Sequence, residues 1–247
     1  MVARILAAKG LGAGALVGIM MPRSDKMLVA LLGVLKSGAA YVPLDPESPG
    51  ARILALIKEA GIGLVLSDAS ADLPVQSLSV AQWEHQKQKD VQESSKGRAY
   101  VMFTSGSTGA PKGVEISHAN LNTYLRHAQG YFESQTLGAV ASSPFTFDAT
   151  ITAMLAPVMA AKTVHILLQD QQEIPELAKI MQAELPFVFK ITPAHIAALF
   201  GYLDGQSHAR HRFIIGGEAL KTAVLHRFTE HFPNAVFVNE YGHLVAG

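Results

Sequence analysis

Cysteine is absent from this chain of 247 residues, which excludes disulfides, thiolate metal sites and cysteine nucleophiles. Neither sign of charge is in excess, because twenty basic and twenty acidic residues give a formal net charge of zero. This balance does not favour a nucleic acid or a membrane surface as the partner. The ten histidines show neither the HxxxH nor the HExxH spacing, so we predict no metal site built from them.

Long hydrophobic runs are also missing. The most apolar stretch, MLVALLGVLKSGAAYVPL from Met27, is interrupted by Lys36 and ends at prolines, so it is too short to span a membrane. The N-terminal residues MVARILAAKGLGAG lack the apolar core and cleavage site of a secretory signal. We therefore expect a cytoplasmic protein without a membrane segment.

Apolar strand-like bursts alternate with segments of helical period along the whole chain. LVGIMM (16–21) reads as a strand, Ser24 as the N-cap of the next helix, and Gly38 as the end of that helix. Strands that are almost continuously apolar are typical of parallel sheets covered on both faces. The predicted fold class is α/β, with parallel β-sheets flanked by helices and two lobes, 1–134 and 135–247, joined near Gly130–Gly138. The polar stretch 83–98 is predicted to be a surface connector.

The segment TSGSTGAPKG (104–113) combines glycines, hydroxyl side chains and one lysine directly after the apolar run YVMF. Glycines allow backbone N–H groups to converge on an anion, and hydroxyls add neutral donors, so the segment predicts a triphosphate loop in a strand–loop–helix setting. It is not a Walker loop, since Lys112 lies between Pro111 and Gly113. The alternative is an ordinary surface loop rich in glycine and serine.

YVMFTSGSTGAPKGV resembles the phosphate loop of adenylate-forming enzymes, in particular of the amino-acid-activating adenylation domains of nonribosomal peptide synthetases. Further segments resemble the signatures of that family in the same order. They are LLGVLKSGAAYVPLDPESPGARI (31–53), FTFDATI (145–151), IIGGEAL (214–220) and NEYG (239–242). The resemblance covers nearly the whole chain and implies the two lobes of the family's N-terminal core, without its mobile C-terminal domain.

The resemblance implies an ATP-dependent ligase. A substrate carboxylate would attack the α-phosphorus of ATP with Mg²⁺, and the acyl group would then pass to the phosphopantetheine thiol of a carrier domain. Carrier and condensation domains of a larger synthetase are thus the expected partners. Thr104 and Lys112 would be the catalytic residues. The phosphates would be held by Thr104, Ser105, Gly106, Ser107, Thr108, Gly109 and Lys112, and the rest of the nucleotide by Gly216, Gly217, Glu218, Asn239, Tyr241 and Gly242.

Asp148 would bind the α-ammonium group of the amino acid, and its structural alternative is the N-cap of the helix DATITAML. His118, just past the loop, is expected to be structural. By resemblance the side-chain pocket would be lined by Asp148, Ala149, Thr152, Lys190, Ile214, Gly216 and Glu240. A lysine and a glutamate together offer a donor and an acceptor, which suits asparagine or a similar polar side chain, with aspartate second. The alternative is that Lys190 and Glu240 point to solvent.

The sequence departs from the family after NEYG. The Pro-Thr-Glu whose glutamate helps to hold magnesium is replaced by His243, Leu244 and Val245, and the chain ends at Gly247. We therefore expect little or no amino-acid-dependent exchange from the isolated 247-residue chain. The alternatives to an amino-acid-activating fragment are a catalytically incomplete remnant that binds only nucleotide or a partner, and an NTPase, against which the missing Walker pattern argues.

Overall fold

The computed structural model describes residues 1–91, 97–105, 111–170 and 172–240, and of Thr104, Ser105 and Pro111 only the backbone. These residues form two compact units, 1–123 and 124–240. Each unit contains one β-sheet with helices, so the predicted α/β class is confirmed. The domain limits of 1–134 and 135–247 stay a prediction.

The first unit contains a six-stranded sheet in the order β4-β3-β1-β2-β5-β6. In this order, all neighbouring strands from β4 through β5 are parallel, and β6 runs antiparallel to β5. A 3₁₀ helix, Val80–His85, follows β4. The elements are α1 (Val2–Ala8), β1 (Leu16–Met20), α2 (Asp25–Ser37), β2 (Ala40–Pro43), α3 (Gly50–Ala60), β3 (Leu64–Ser67), β4 (Gln76–Ser79), β5 (Arg98–Ser105) and β6 (Pro111–Ser117).

Both predicted ends of α2 are confirmed. The hydroxyl of Ser24 accepts a hydrogen bond from the backbone N–H of Met27 at 3.1 Å, as an N-cap does. Gly38 ends the helix in the left-handed conformation, with φ of 82°, which a residue without Cβ adopts at little cost. On the helix surface, a Cβ on Gly33 would lie 2.5 Å from that of Val2, so this glycine lets α1 pack closely on α2.

The strand–loop–helix setting predicted for the glycine-rich segment leaves out one strand, because β6 comes before the helix that begins at His118. The loop connects the antiparallel strands β5 and β6, and the next helix begins only at His118. A short loop suffices between antiparallel strands, whereas a parallel neighbour would need a crossover of a dozen or more residues. The strand PKGVEIS was missed because a proline, a lysine and a glycine interrupt its alternation of apolar and polar residues.

The second unit begins inside α4 and holds a five-stranded, wholly parallel sheet in the order β11-β10-β9-β7-β8. A 3₁₀ helix, Gln129–Tyr131, follows α4. The elements are α4 (His118–Ala128), β7 (Gly138–Ala141), α5 (Ala149–Met159), β8 (Thr163–Ile166), α6 (Glu173–Gln182), β9 (Phe187–Ile191), α7 (Pro193–Leu199), β10 (Arg212–Gly216), α8 (Thr222–His231) and β11 (Val236–Glu240).

The core of the second unit is aromatic. The ring of Phe213 stacks on those of Phe189 and Phe237, with centroids 5.2 and 5.3 Å apart, and Phe228 and Phe232 pack against it from α8 and its end. These side chains fix the strands β9, β10 and β11 against one helix. The carboxyl ends of the three strands are thereby held in register, and three of the predicted pocket residues, Lys190, Gly216 and Glu240, lie there. Within the described ranges, no helix is long and apolar enough to cross a bilayer.

Candidate functional site

Lys190 and Glu240 form an ion pair at the carboxyl end of the second sheet. Lys190 lies in β9 and Glu240 ends β11, with β10 between them. The side chains are 8% and 23% exposed, so the pair is largely shielded from water. Gly216 of β10 lies opposite Glu240, and a Cβ there would be 3.3 Å from Lys190 Nζ. The missing side chain of Gly216 therefore leaves the room in which the ammonium group meets the carboxylate. The alternative that these two side chains point to solvent was wrong.

Two tyrosine hydroxyls contact the same carboxylate from the other side. Tyr124 of α4 and Tyr131 of the following 3₁₀ helix lie 3.2 and 3.1 Å from Glu240 Oε1. Tyr124 also contacts the hydroxyl of Thr152 on α5. The structure thus joins three of the predicted pocket residues, Thr152, Lys190 and Glu240, into one hydrogen-bonded cluster. No sequence pattern pointed to the tyrosines, because more than a hundred residues separate them from Glu240.

The direction of each hydrogen bond follows from the chemistry of the groups. A carboxylate only accepts hydrogen bonds, so each tyrosine hydroxyl donates its single proton to Glu240. Thr152 must then donate to the oxygen of Tyr124, and Nε2 of His127, 3.2 Å from Tyr131, must donate to the oxygen of that hydroxyl. Glu240 therefore accepts hydrogen bonds from three donors, namely two hydroxyls and the ammonium group of Lys190.

Burial and the negative charge of Glu240 keep both tyrosines protonated. Burial, followed by the charge and the hydrogen bond of Glu240, raises the pKa of Tyr131 to about 12. Burial is also the main reason why the pKa of Tyr124 rises well above its usual value, although the hydrogen bond with Thr152 opposes part of that rise. Both hydroxyls consequently remain donors throughout the neutral range.

Asp148, Ala149 and Ile214 lie on the elements that carry this cluster. Asp148 directly precedes α5 and is four residues before Thr152, a spacing that places two residues on the same side of a helix. Its exposed carboxylate makes no capping hydrogen bond among the described residues, so the N-cap alternative is not observed. Ala149 is the first residue of α5, and Ile214 pairs with Lys190 in the ladder. No described contact connects Asp148 to the ion pair.

The described residues that are predicted to hold the rest of the nucleotide lie at or just after the end of β10 and in β11. Gly217 has φ of 86°, a left-handed backbone that favours glycine, and Glu218 after it is exposed. Asn239 lies opposite Ile215 in the ladder between β10 and β11. Tyr241 and Gly242 lie outside the described residues. The predicted roles of all six residues, which include Gly216 at the end of β10, stay predictions.

The predicted phosphate loop belongs to the first unit. Lys112 is exposed on β6 and lies directly opposite Thr104 of β5, so the hairpin brings the two predicted catalytic residues side by side. Ser105 ends β5, with its backbone alone described. Gly106, Ser107, Thr108 and Gly109 lie outside the described residues, and their role in phosphate binding stays a prediction.

No group of three or more histidine, aspartate or glutamate side chains that could hold a metal ion occurs within the described residues. The magnesium site stays a prediction. Burial lowers the pKa of His118, and its Nε2 has no hydrogen-bond partner in the described part of the chain. Neither observation assigns a role to this histidine.

The chain matches the family described as AMP-binding enzyme over residues 1–243. It is 32% identical over 248 residues to bacitracin synthase 3 of Bacillus licheniformis, and the alignment covers 97% of this chain and 4% of that protein. Its fold is similar to that of the nonribosomal peptide synthetase FmoA3 solved with AMPPNP bound, with a TM-score of 0.84, 24% identity, and coverage of 98% of this chain and 28% of that one. A four-domain nonribosomal peptide synthetase bound to AMP and glycine gives a TM-score of 0.78 at 26% identity and covers 98% of this chain and 18% of that one.

These matches confirm the family that the motifs indicate. They also show that the chain spans a small part of its relatives' length. On the match over residues 1–243, the chain belongs to the AMP-binding enzyme family, and its relatives include nonribosomal peptide synthetases.

Proposed function

We propose that these residues form the nucleotide- and amino-acid-binding core of a cytoplasmic enzyme that activates an amino acid with ATP. A carboxylate oxygen of the amino acid attacks the α-phosphorus, an aminoacyl–AMP forms, and pyrophosphate leaves. The phosphopantetheine sulfur of a carrier domain then attacks the acyl carbon, and AMP leaves. Bound magnesium would neutralise phosphate charge. The synthetase bound to AMP and glycine supports both classes of ligand.

The observation that carries this proposal is the cluster around Glu240. Tyr124 connects Thr152 and Glu240, two predicted pocket residues from different motifs that are 88 positions apart in the sequence. The hydroxyls of the cluster are protonated donors and its two charged groups are paired with each other, so its chemistry is binding and orientation, as expected when a substrate carboxylate does the attacking. Asp148 remains free to accept a charge-assisted hydrogen bond from an α-ammonium group, because no cap bond occupies its carboxylate among the described residues.

We further propose that the substrate has a neutral side-chain amide, as asparagine has. Within the described part of the chain, Glu240 is the hydrogen-bond partner of Lys190, which leaves two of the three ammonium N–H groups for a ligand. Glu240 accepts three hydrogen bonds, and a carboxylate offers about four acceptor sites, so roughly one site remains. A side-chain amide supplies the matching acceptor and donor, whereas a second carboxylate would face Glu240.

Amino-acid-dependent exchange between ATP and pyrophosphate tests the proposal, measured on the polypeptide at its natural length with a panel of amino acids. Asparagine is expected to give the highest exchange. Asp148→Asn is expected to raise KM for the amino acid by about tenfold or more, since a hydrogen bond to a charged group contributes about 1.5–3 kcal/mol, and to leave KM for ATP unchanged. The exposed Asp204→Asn is the matched control. Amino-acid-independent ATP hydrolysis, or binding of nucleotide without any exchange, would contradict the proposal.

A further inference from the structure

The carboxylate of Glu240 is paired with a positive charge, and it is also held in one orientation. Oε1 accepts the hydroxyls of Tyr124 and Tyr131, and Oε2 faces Lys190. The terminal torsion of a glutamate is broad, so a carboxylate held at one end only could rotate. Glu240 also ends β11, the last strand of its sheet, and is 23% exposed, so solvent is within reach. The two hydroxyls are therefore what keeps Oε2 turned towards the ammonium group.

We infer that Tyr124 and Tyr131 are positioning residues that hold Glu240 on Lys190 and thereby make the pocket select a neutral amide side chain over a carboxylate. The inference rests on the proposed function. Lys190 is 8% exposed, and a buried cation without its counter-ion is costly. When Glu240 turns away, an anionic ligand becomes the best partner for that cation. Selection against aspartate thus depends on residues whose hydroxyls contact Glu240, Thr152 and His127.

The first test compares Tyr124→Phe, Tyr131→Phe and the double variant with the unchanged polypeptide at its natural length. For each, kcat/KM in the exchange reaction is measured with asparagine and with aspartate, together with KM for ATP. The ratio of asparagine to aspartate is expected to fall by about tenfold in the double variant, because each lost bond is one to a charged group. KM for ATP should not change.

Tyr202→Phe is the matched control, since Tyr202 lies in the same unit with its side chain exposed and does not contact Glu240. It should leave the ratio unchanged. A double variant that loses thermal stability but keeps the ratio of the unchanged polypeptide would overturn the inference, because the tyrosines would then be structural only.

A second test needs no activity. Urea unfolding of the 247-residue chain is measured for Tyr131→Phe, Glu240→Gln and both, and for the control pair Tyr202→Phe and Glu240→Gln. The first pair should show a coupling of about tenfold in the unfolding equilibrium constant, and the control pair none. Additive effects in the first pair would show that the hydroxyl does not hold Glu240. If the unchanged polypeptide exchanges with no amino acid, the proposed function fails, and this cycle still decides whether the tyrosine positions Glu240.

Discussion

Gly216 lies where the cluster around Glu240 has no room for one added methyl group. An ideal Cβ there would collide with the backbone carbonyl oxygen of Glu240 and would crowd Lys190 Nζ at 3.3 Å. Backbone cannot move aside as the end of a flexible side chain can. The missing side chain therefore sets both the spacing of β10 from β11 and the position of the ion pair.

Gly216→Ala is accordingly expected to lower the free energy of unfolding by about 1–3 kcal/mol, the usual cost of overpacking a filled site. Urea unfolding of the 247-residue chain, followed by circular dichroism, measures it. Gly201→Ala makes the same chemical change in the same unit where nothing lies within 4 Å, and it should stay within about 0.5 kcal/mol of the unchanged chain. Equal effects of the two substitutions would show that the contact at Glu240 does not matter.

At the scale of elements, His211 connects a helix end to a strand. Its Nε2 donates to the backbone carbonyl of Met181 in α6 at 2.8 Å, and its Nδ1 accepts from the backbone N–H of Phe187 in β9 at 3.3 Å. The ring is completely buried among phenylalanines. Only the neutral imidazole can donate with one nitrogen and accept with the other, so protonation would turn the bond to Phe187 into a clash of two N–H groups.

Burial lowers the pKa of His211, which predicts a stability that falls in acid. Above the ordinary histidine pKa of about 6.5 the ring is neutral in both states, and this residue adds no pH dependence. As the pH falls below that value, the unfolded chain binds a proton that the folded chain resists. The free energy of unfolding should then decrease by up to about 1.4 kcal/mol per pH unit, until the lowered pKa of the folded state is reached.

Urea unfolding at a series of pH values between about 5 and 8, a window set by the ordinary histidine pKa, measures this slope. His211→Gln should flatten it, whatever its effect on stability at neutral pH. His208→Gln, three positions away with an exposed side chain, should leave the slope as it is. The same slope in all three proteins would assign the acid sensitivity to other groups.

At the scale of the whole molecule, the strands and helices with a clear apolar period were predictable from sequence. The β-branched runs of β1, β9 and β10 and both ends of α2 are confirmed in the structure. The short helix α1 was missed because seven residues carry little periodicity, and its stability comes from packing on α2 beside Gly33. The strand β6 was missed because its pairing with β5, and not its own composition, makes it a strand.

The candidate site was predictable where the chemistry lies in a motif. Thr152, Lys190 and Glu240 were expected in one pocket from the resemblance, and the structure joins them. Tyr124 and Tyr131 could not be found in this way. They contact Glu240 only because the chain folds so that they lie near the end of β11, which is more than a hundred residues further along the sequence. Hydrogen bonds between distant segments have no local sequence signal.

The zero net charge of the chain predicts its behaviour in solution. Proteins near zero net charge associate and precipitate most readily, so the solubility of the 247-residue chain should be lowest near its pI of about 7.2. Lys26→Glu with Lys87→Glu lowers the formal net charge by four at two exposed positions, and a glutamate in the first turn of α2 suits the helix dipole. The pair should raise solubility at neutral pH and move the minimum to lower pH. Precipitation midpoints in ammonium sulfate measure both effects.

Lys26→Arg with Lys87→Arg, which keeps the charge, should change neither the solubility nor its minimum. An unchanged minimum in the glutamate pair would show that net charge does not limit solubility here.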